Sequence, residues 1–279
     1  MSAGETIRSR IWSEEPAPDN PFQARVCRCA GYDVYGEVIR KAGWSEYLYL
    51  LFRGERPAPD QARALERLAL ALANPGPRDL SVRAAMNAGV GGSTSASALM
   101  AALAVGAGVS GGAHEVFLAA EVFDRHGADA AGWAATLAHP SAHWHEDFWP
   151  AVEHPPGFEP YADHCALPVR QTLDAVVEVM PGGLAQELRD GREALERAAG
   201  APLAMTGAAA AVLVDLGFPP EQAEMLFLLL RLPGAAVHAL EQRGYGWRKY
   251  PFFRDGLVLT DDPGPVPAPA REAAAEPAP

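Results

Sequence analysis

Cysteine is scarce in this chain of 279 residues: Cys27, Cys29 and Cys165 are the only three. Three thiols cannot build a disulfide framework, and Cys27-Arg28-Cys29 has the wrong spacing for a zinc knuckle or a redox Cys-x-x-Cys pair. Reduced thiols in a cytoplasmic setting are the expectation. Positive charge is also short, with 23 Lys and Arg against 35 Asp and Glu, a net charge of −12 and a pI near 5.1. That balance argues against nucleic acid as the main partner, because phosphate binding needs clustered cations. The opening "MSAGETIRSRIWSEE" lacks the apolar run of a secretory signal. Strand-type alternation is rare throughout.

Helical signals fill the space. From Ala84 to Ala113 there is no Asp, Glu, Lys or Arg, a stretch long enough to cross a bilayer. It is built mostly of Gly, Ala and Ser, which contribute little insertion energy but let helices approach closely. A buried helix over about Ser95 to Gly106 is the better reading, with no membrane partner. Upstream, "WSEYLYLLFRG" predicts a helix capped at Ser45 and stopped at Gly54. A second follows Pro57-Ala58-Pro59-Asp60 and repeats Ala62, Leu65, Leu68 and Leu72 at helical spacing. Further helices are expected after Gly112, from Leu184 to Ala199, in "GAAAAVLVDLG", and after Pro219-Pro220. The expectation is an all-α protein without internal repeats, ending in a disordered Pro/Ala tail over 262–279.

Three constellations could carry chemistry. His139, His143, His145 and His154 lie among aromatics and prolines. His143 and His145 could chelate a metal, face a substrate, or simply pack in a loop. The "SGG" of Ser110-Gly111-Gly112 precedes a helix, where exposed N–H groups could meet an anion, or where the chain merely turns tightly. Neither it nor "GVGGS" follows a convincing strand, so neither is a dinucleotide fingerprint or a P-loop. Arg231 stands within "MLFLLLRLPGAAVHALEQ". A cation in such surroundings needs a carboxylate partner or a bound anion, unless it lies at a helix edge and snorkels to water.

Taken in order, "LAVGAGVSGGAHEVFLAAEVF", "PPGFEPYADHCALPVRQTL", "PLAMTGAAAAVLVDLGF" and "LRLPGAAVHALEQ" resemble the citrate synthase superfamily, and more closely its short citryl-CoA lyase-like branch, which includes the lyase domain of ATP-citrate lyase. The resemblance implies a citrate synthase-like helical fold with a large domain (1–112 and 208–261) and a smaller inserted one (113–207), assembled as a homodimer or higher homo-oligomer. It also implies C–C bond cleavage of a CoA thioester such as citryl-CoA, or the reverse condensation, with no permanently bound cofactor. Position by position, the family's His-Gly-Gly-Ala is Ser110-Gly111-Gly112-Ala113, and an upstream histidine falls near Gly89. Its second catalytic histidine falls at Glu159-Pro160 or Tyr161, and its catalytic aspartate at Thr206. Arg170 and Arg231 match the two carboxylate-binding arginines, and His238 also matches.

The resemblance thus implies a retained carboxylate clamp (Arg170, Arg231, His238, with Gly111 and Gly112) and lost proton-transfer groups. Two readings follow. One is an enzyme drawing on Ser110, His114, His143, His145, Tyr161 or His164 for acid–base chemistry. The other is a degenerate paralogue that binds a carboxylate or CoA ligand, or partners an active homologue.

Overall fold

The computed structural model describes residues 9–138 and 154–246. The chain opens with a small antiparallel sheet, β1 (Ser13–Pro16), β2 (Ala24–Cys29) and β3 (Tyr32–Asp33), in the order β1-β2-β3. Ser13 pairs with Arg28 and Glu14 with Cys27, and the register shifts between Glu15 and Pro16. A π-helical turn, Val34–Val38, and the short α1 (Ile39–Lys41) lead into α2 (Trp44–Arg53) and α3 (Pro59–Leu72). There follow α4 (Leu80–Val90), α5 (Ser95–Gly106), α6 (Ala113–His126) and α7 (Ala130–Ala138). Beyond residue 153 come α8 (Leu167–Val179), α9 (Gly183–Ala199), α10 (Met205–Asp215) and α11 (Pro220–Tyr245). The architecture is helical, as expected.

Local chemistry explains most boundaries. Helix α2 begins one residue before the expected Ser45 cap: the Gly43 N–H donates to Glu46 Oε2 at 2.7 Å, and Ser45 is buried inside the first turn. The Asp79 side chain caps α4, and Thr94 caps α5. Asp215 reaches from the end of α10 to accept the Leu184 and Ala185 N–H groups, each at 2.7 Å, which anchors the start of α9. The uncharged stretch is two packed helices, α4 and α5, rather than one span. Helix α11 is long and apolar enough to cross a membrane by length and composition, and 44% of that window is buried in the molecule.

The main core joins α2, α3, α6, α7, α8, α9, α10 and α11 through side chains such as Leu65, Phe123, Trp133, Leu173 and Phe227. It therefore runs across the bounds drawn at 112 and 207. A second cluster packs α4 and α5 on α11 through small residues, with Ala98, Ala102 and Ala235 at its centre. Pro233 sits inside α11 and cannot donate to the helical ladder. The next residue, Gly234, donates instead to Ala73 O at 2.7 Å, and a Cβ there would strike the backbone at Ala73 and Asn74. This contact holds the middle of α11 against the segment that leads from α3 to Asp79.

Candidate active site

A cavity of about 1240 Å³ opens where α6, α10 and α11 meet the turn before α4 and the segment 154–168. It is large enough for a sizeable small molecule. Its wall has two polar corners, one anionic and one cationic, and the Ser110-Gly111-Gly112 turn lies between them.

Glu115 forms the first corner. It lies in the first turn of α6 and is 2% exposed, yet its carboxylate is tied on every side. Gly111 N–H donates to Oε2, while Gly157 N–H at 2.9 Å and the Thr206 hydroxyl at 2.8 Å donate to Oε1. His154 Nε2 stands 3.9 Å from Oε2, its side chain nearly buried. The placement at a helix N-terminus favours an anion, and hydrogen bonds replace the water lost on burial. The backbone packs tightly to allow this. Gly157 has φ +90°, and a Cβ on it would come within 2.8 Å of Gly207 Cα. Gly157 O in turn accepts the Ala204 N–H at 2.9 Å, at the entry to α10.

Arg231 forms the second corner and is 7% exposed. Its Nη2 pairs with Asp79 Oδ2, its Nη1 donates to Gly111 O at 3.2 Å, and its Cζ lies 4.6 Å from the centroid of the Phe227 ring. Asp79 uses its other oxygen, Oδ1, to accept the Ser81 and Val82 N–H groups at 2.9 and 3.2 Å, and the Ser81 hydroxyl as well. Burial pushes the Arg231 guanidinium down to about 10, so it stays charged at neutral pH. The cation that the sequence offers to a ligand is already answered from within the chain.

Of the residues expected from sequence, Ser110, Gly111, Gly112, His114, Tyr161 and His164 all line the cavity. Gly111, at φ +67°, connects the corners: its N–H serves Glu115 and its carbonyl serves Arg231. Gly112 passes so close to Gly108 O that no Cβ fits. His114 stacks on Phe117 and its Nδ1 lies 3.2 Å from Glu224 Oε1, so it faces α11 at the rim. Tyr161 is 91% exposed, and His164 is also exposed. Arg170 and His238 do not line the cavity. Arg170 is exposed on α8, and His238 Nε2 meets Asn74 Oδ1 at 3.0 Å behind the wall. His143 and His145 lie outside the described residues, and among the described residues no His, Cys, Asp and Glu side chains gather to hold a metal.

Glu115 and Asp79 are the polar groups that sequence reasoning passed over. Both left a signal. Glu115 falls four residues before Ala119 on the apolar face of α6, and Asp79 precedes Ser81 as a helix cap.

No family model matches the chain, and no curated protein matches it. Solved structures do. The citryl-CoA lyase of Hydrogenobacter thermophilus superposes with a TM-score of 0.67 at 19% identity, covering 96% of this chain and 97% of that one. The ATP citrate lyase of Methanothrix soehngenii, in complex with citrate and coenzyme A, gives 0.69 at 18% identity over 93% of this chain. The Methanosaeta concilii ATP citrate lyase, in complex with (3S)-citryl-CoA, gives 0.66 at 16% identity over 94%. This chain spans 42% and 43% of those two longer proteins. In architecture, the chain has the helical fold of the citryl-CoA lyases.

Proposed function

We propose that the cavity makes or breaks a C–C bond next to a CoA thioester, in the manner of a citryl-CoA lyase, with Glu115 as the carboxylate that moves the proton. The observation that carries this reading is the hydrogen bond from Thr206 to Glu115, 91 positions away in sequence. Thr206 stands where the resemblance puts the family's aspartate, so a carboxylate occupies that corner although it comes from another helix.

In the condensing direction, Glu115 takes a proton from the carbon α to the thioester. The negative charge moves onto the thioester oxygen, which needs a hydrogen-bond donor there. In this proposal His154, whose Nε2 lies 3.9 Å from Glu115 Oε2, is that donor. The α-carbon then adds to a carbonyl carbon, and the new alkoxide takes up a proton. Cleavage runs the same steps backwards, and no electrons are gained or lost overall. A positioned acid–base group of this kind contributes about 10²–10⁴-fold in rate. A homodimer belongs to the same proposal, and the exposed Met100 and Val105 of α5 with Val237 and Leu240 of α11 supply apolar surface for it.

The test offers the purified protein 3-hydroxyacyl-CoA thioesters, citryl-CoA and 3-hydroxybutyryl-CoA among them, and follows acetyl-CoA release by chromatography. Release above the blank is expected from at least one. No release from any, with CoA still raising the melting temperature, would leave a binding protein in place of an enzyme.

A further inference from the structure

Resting on the thioester reading, we infer that Asp79 fills from within the place of a substrate carboxylate at Arg231, so the site takes an acyl group or carbonyl partner that carries no carboxylate there. The charge of Arg231 is already paired within the chain. Asp79, Gly111 O and the Phe227 ring already surround its guanidinium. Asp79 is itself held from the other side by the first N–H groups of α4. It cannot swing away without uncapping that helix.

The charge balance of the wall agrees. Among the described residues, the wall carries Arg78 and Arg231, the carboxylates of Asp79, Glu115 and Glu159, and the imidazoles of His114, His154 and His164. Arg78 and Glu159 are exposed at the rim, so the buried part of the wall holds the Arg231–Asp79 pair, the Glu115 carboxylate and the His154 imidazole beside it. A di- or tricarboxylate brought into that interior would meet the Glu115 carboxylate and a cation already paired with Asp79. Burial of an unpaired carboxylate is costly, whereas an uncharged ketone, aldehyde or alkyl group meets no such penalty. The substrate class is therefore a 3-hydroxyacyl-CoA whose hydroxyl-bearing carbon has uncharged substituents. Its cleavage gives acetyl-CoA and an aldehyde or ketone: the hydroxyl proton is lost, the C–C bond breaks, and the α-carbon gains a proton.

The experiment measures thermal stabilisation by citrate in the full chain and in Asp79→Asn. Asn keeps the cap acceptor while removing the charge that answers Arg231. Citrate at millimolar concentration is expected to leave the wild-type midpoint unmoved and to raise that of Asp79→Asn by several degrees. Asp79→Ser, a second good cap, is read the same way where Asp79→Asn fails to fold. Two results would overturn the inference. One is a wild-type midpoint raised by citrate, with the rise lost in Arg231→Gln. The other is a folded Asp79 variant that citrate does not stabilise. No thioester enters this readout, so failure of the thioester reading in the turnover assay is distinguishable from failure here.

Discussion

The two corners of the cavity begin with the same difficulty, a charge out of water, and resolve it with different consequences. At Glu115 the charge is held by two backbone N–H groups and a hydroxyl, with the His154 imidazole 3.9 Å away. The carboxylate is fixed in place and no guanidinium or ammonium group pairs with it among the described residues, as the proposed proton transfer requires. At Arg231 the charge is cancelled by Asp79. A neutralised cation is good scaffolding and a poor anion trap. Residue type at one position does not show what packs beside it: Thr206 donates to the carboxylate of Glu115, and Arg231 is paired with Asp79.

The largest expected effect breaks the cationic corner. Arg231→Gln leaves Asp79 buried with only its helix-cap donors, and breaking such a pair costs about 3 kcal/mol. For a chain of this size that lowers the melting midpoint by roughly 6–12 °C. Calorimetry checks it, and a loss below about 1 kcal/mol would remove the distinction drawn between the corners.

A smaller effect sharpens the anionic corner. Thr206→Val removes the hydroxyl that holds Glu115 Oε1, leaving a buried acceptor with one donor fewer, at about 1–3 kcal/mol. As a positioning residue, Thr206 should act on kcat more than on KM. Thr206→Ser, which retains the hydroxyl, should restore most of the rate. An equal loss in both variants would contradict a role for the hydroxyl.

The smallest effect lies outside the cavity. Arg170→Ala removes an exposed side chain of α8 and should change stability by less than about 0.5 kcal/mol. Ligand affinity should not change, as isothermal titration can check. A clear loss of CoA-ligand affinity would return Arg170 to the site.

Much of the scaffold was legible in the sequence because its signals are local. Ser95–Gly106 follows from its unbroken run of helix-forming small residues, and Gly54 at φ +74° stops α2 where the glycine predicts. The sheet was not legible. Its strands of 4, 6 and 2 residues are too short for alternation to register, and Arg25, Arg28, Glu14 and Glu15 dilute what pattern there is. Helices α4, α7 and α8 also went unread, since α4 scatters Ser81, Arg83 and Asn87 through a run of small residues, α7 is apolar on nearly all sides and α8 follows a proline-rich stretch. The site was legible only in part, for a different reason. The Ser110-Gly111-Gly112 turn announces itself in sequence, but what it joins does not. Glu115 finds Thr206 and Gly157, and Arg231 finds Asp79, only once α10 and α11 have packed against α6 and the start of α4.

The central claim is that Glu115 moves the proton at the α-carbon of a CoA thioester. It is tested most directly by incubating acetyl-CoA with the protein in deuterated water and following the methyl signal by NMR, since enolate formation needs no knowledge of the second substrate. Exchange above the blank is expected in the wild type, with a loss of about 10²-fold or more in Glu115→Gln and CoA still stabilising both proteins. Equal exchange rates in the two proteins would contradict it.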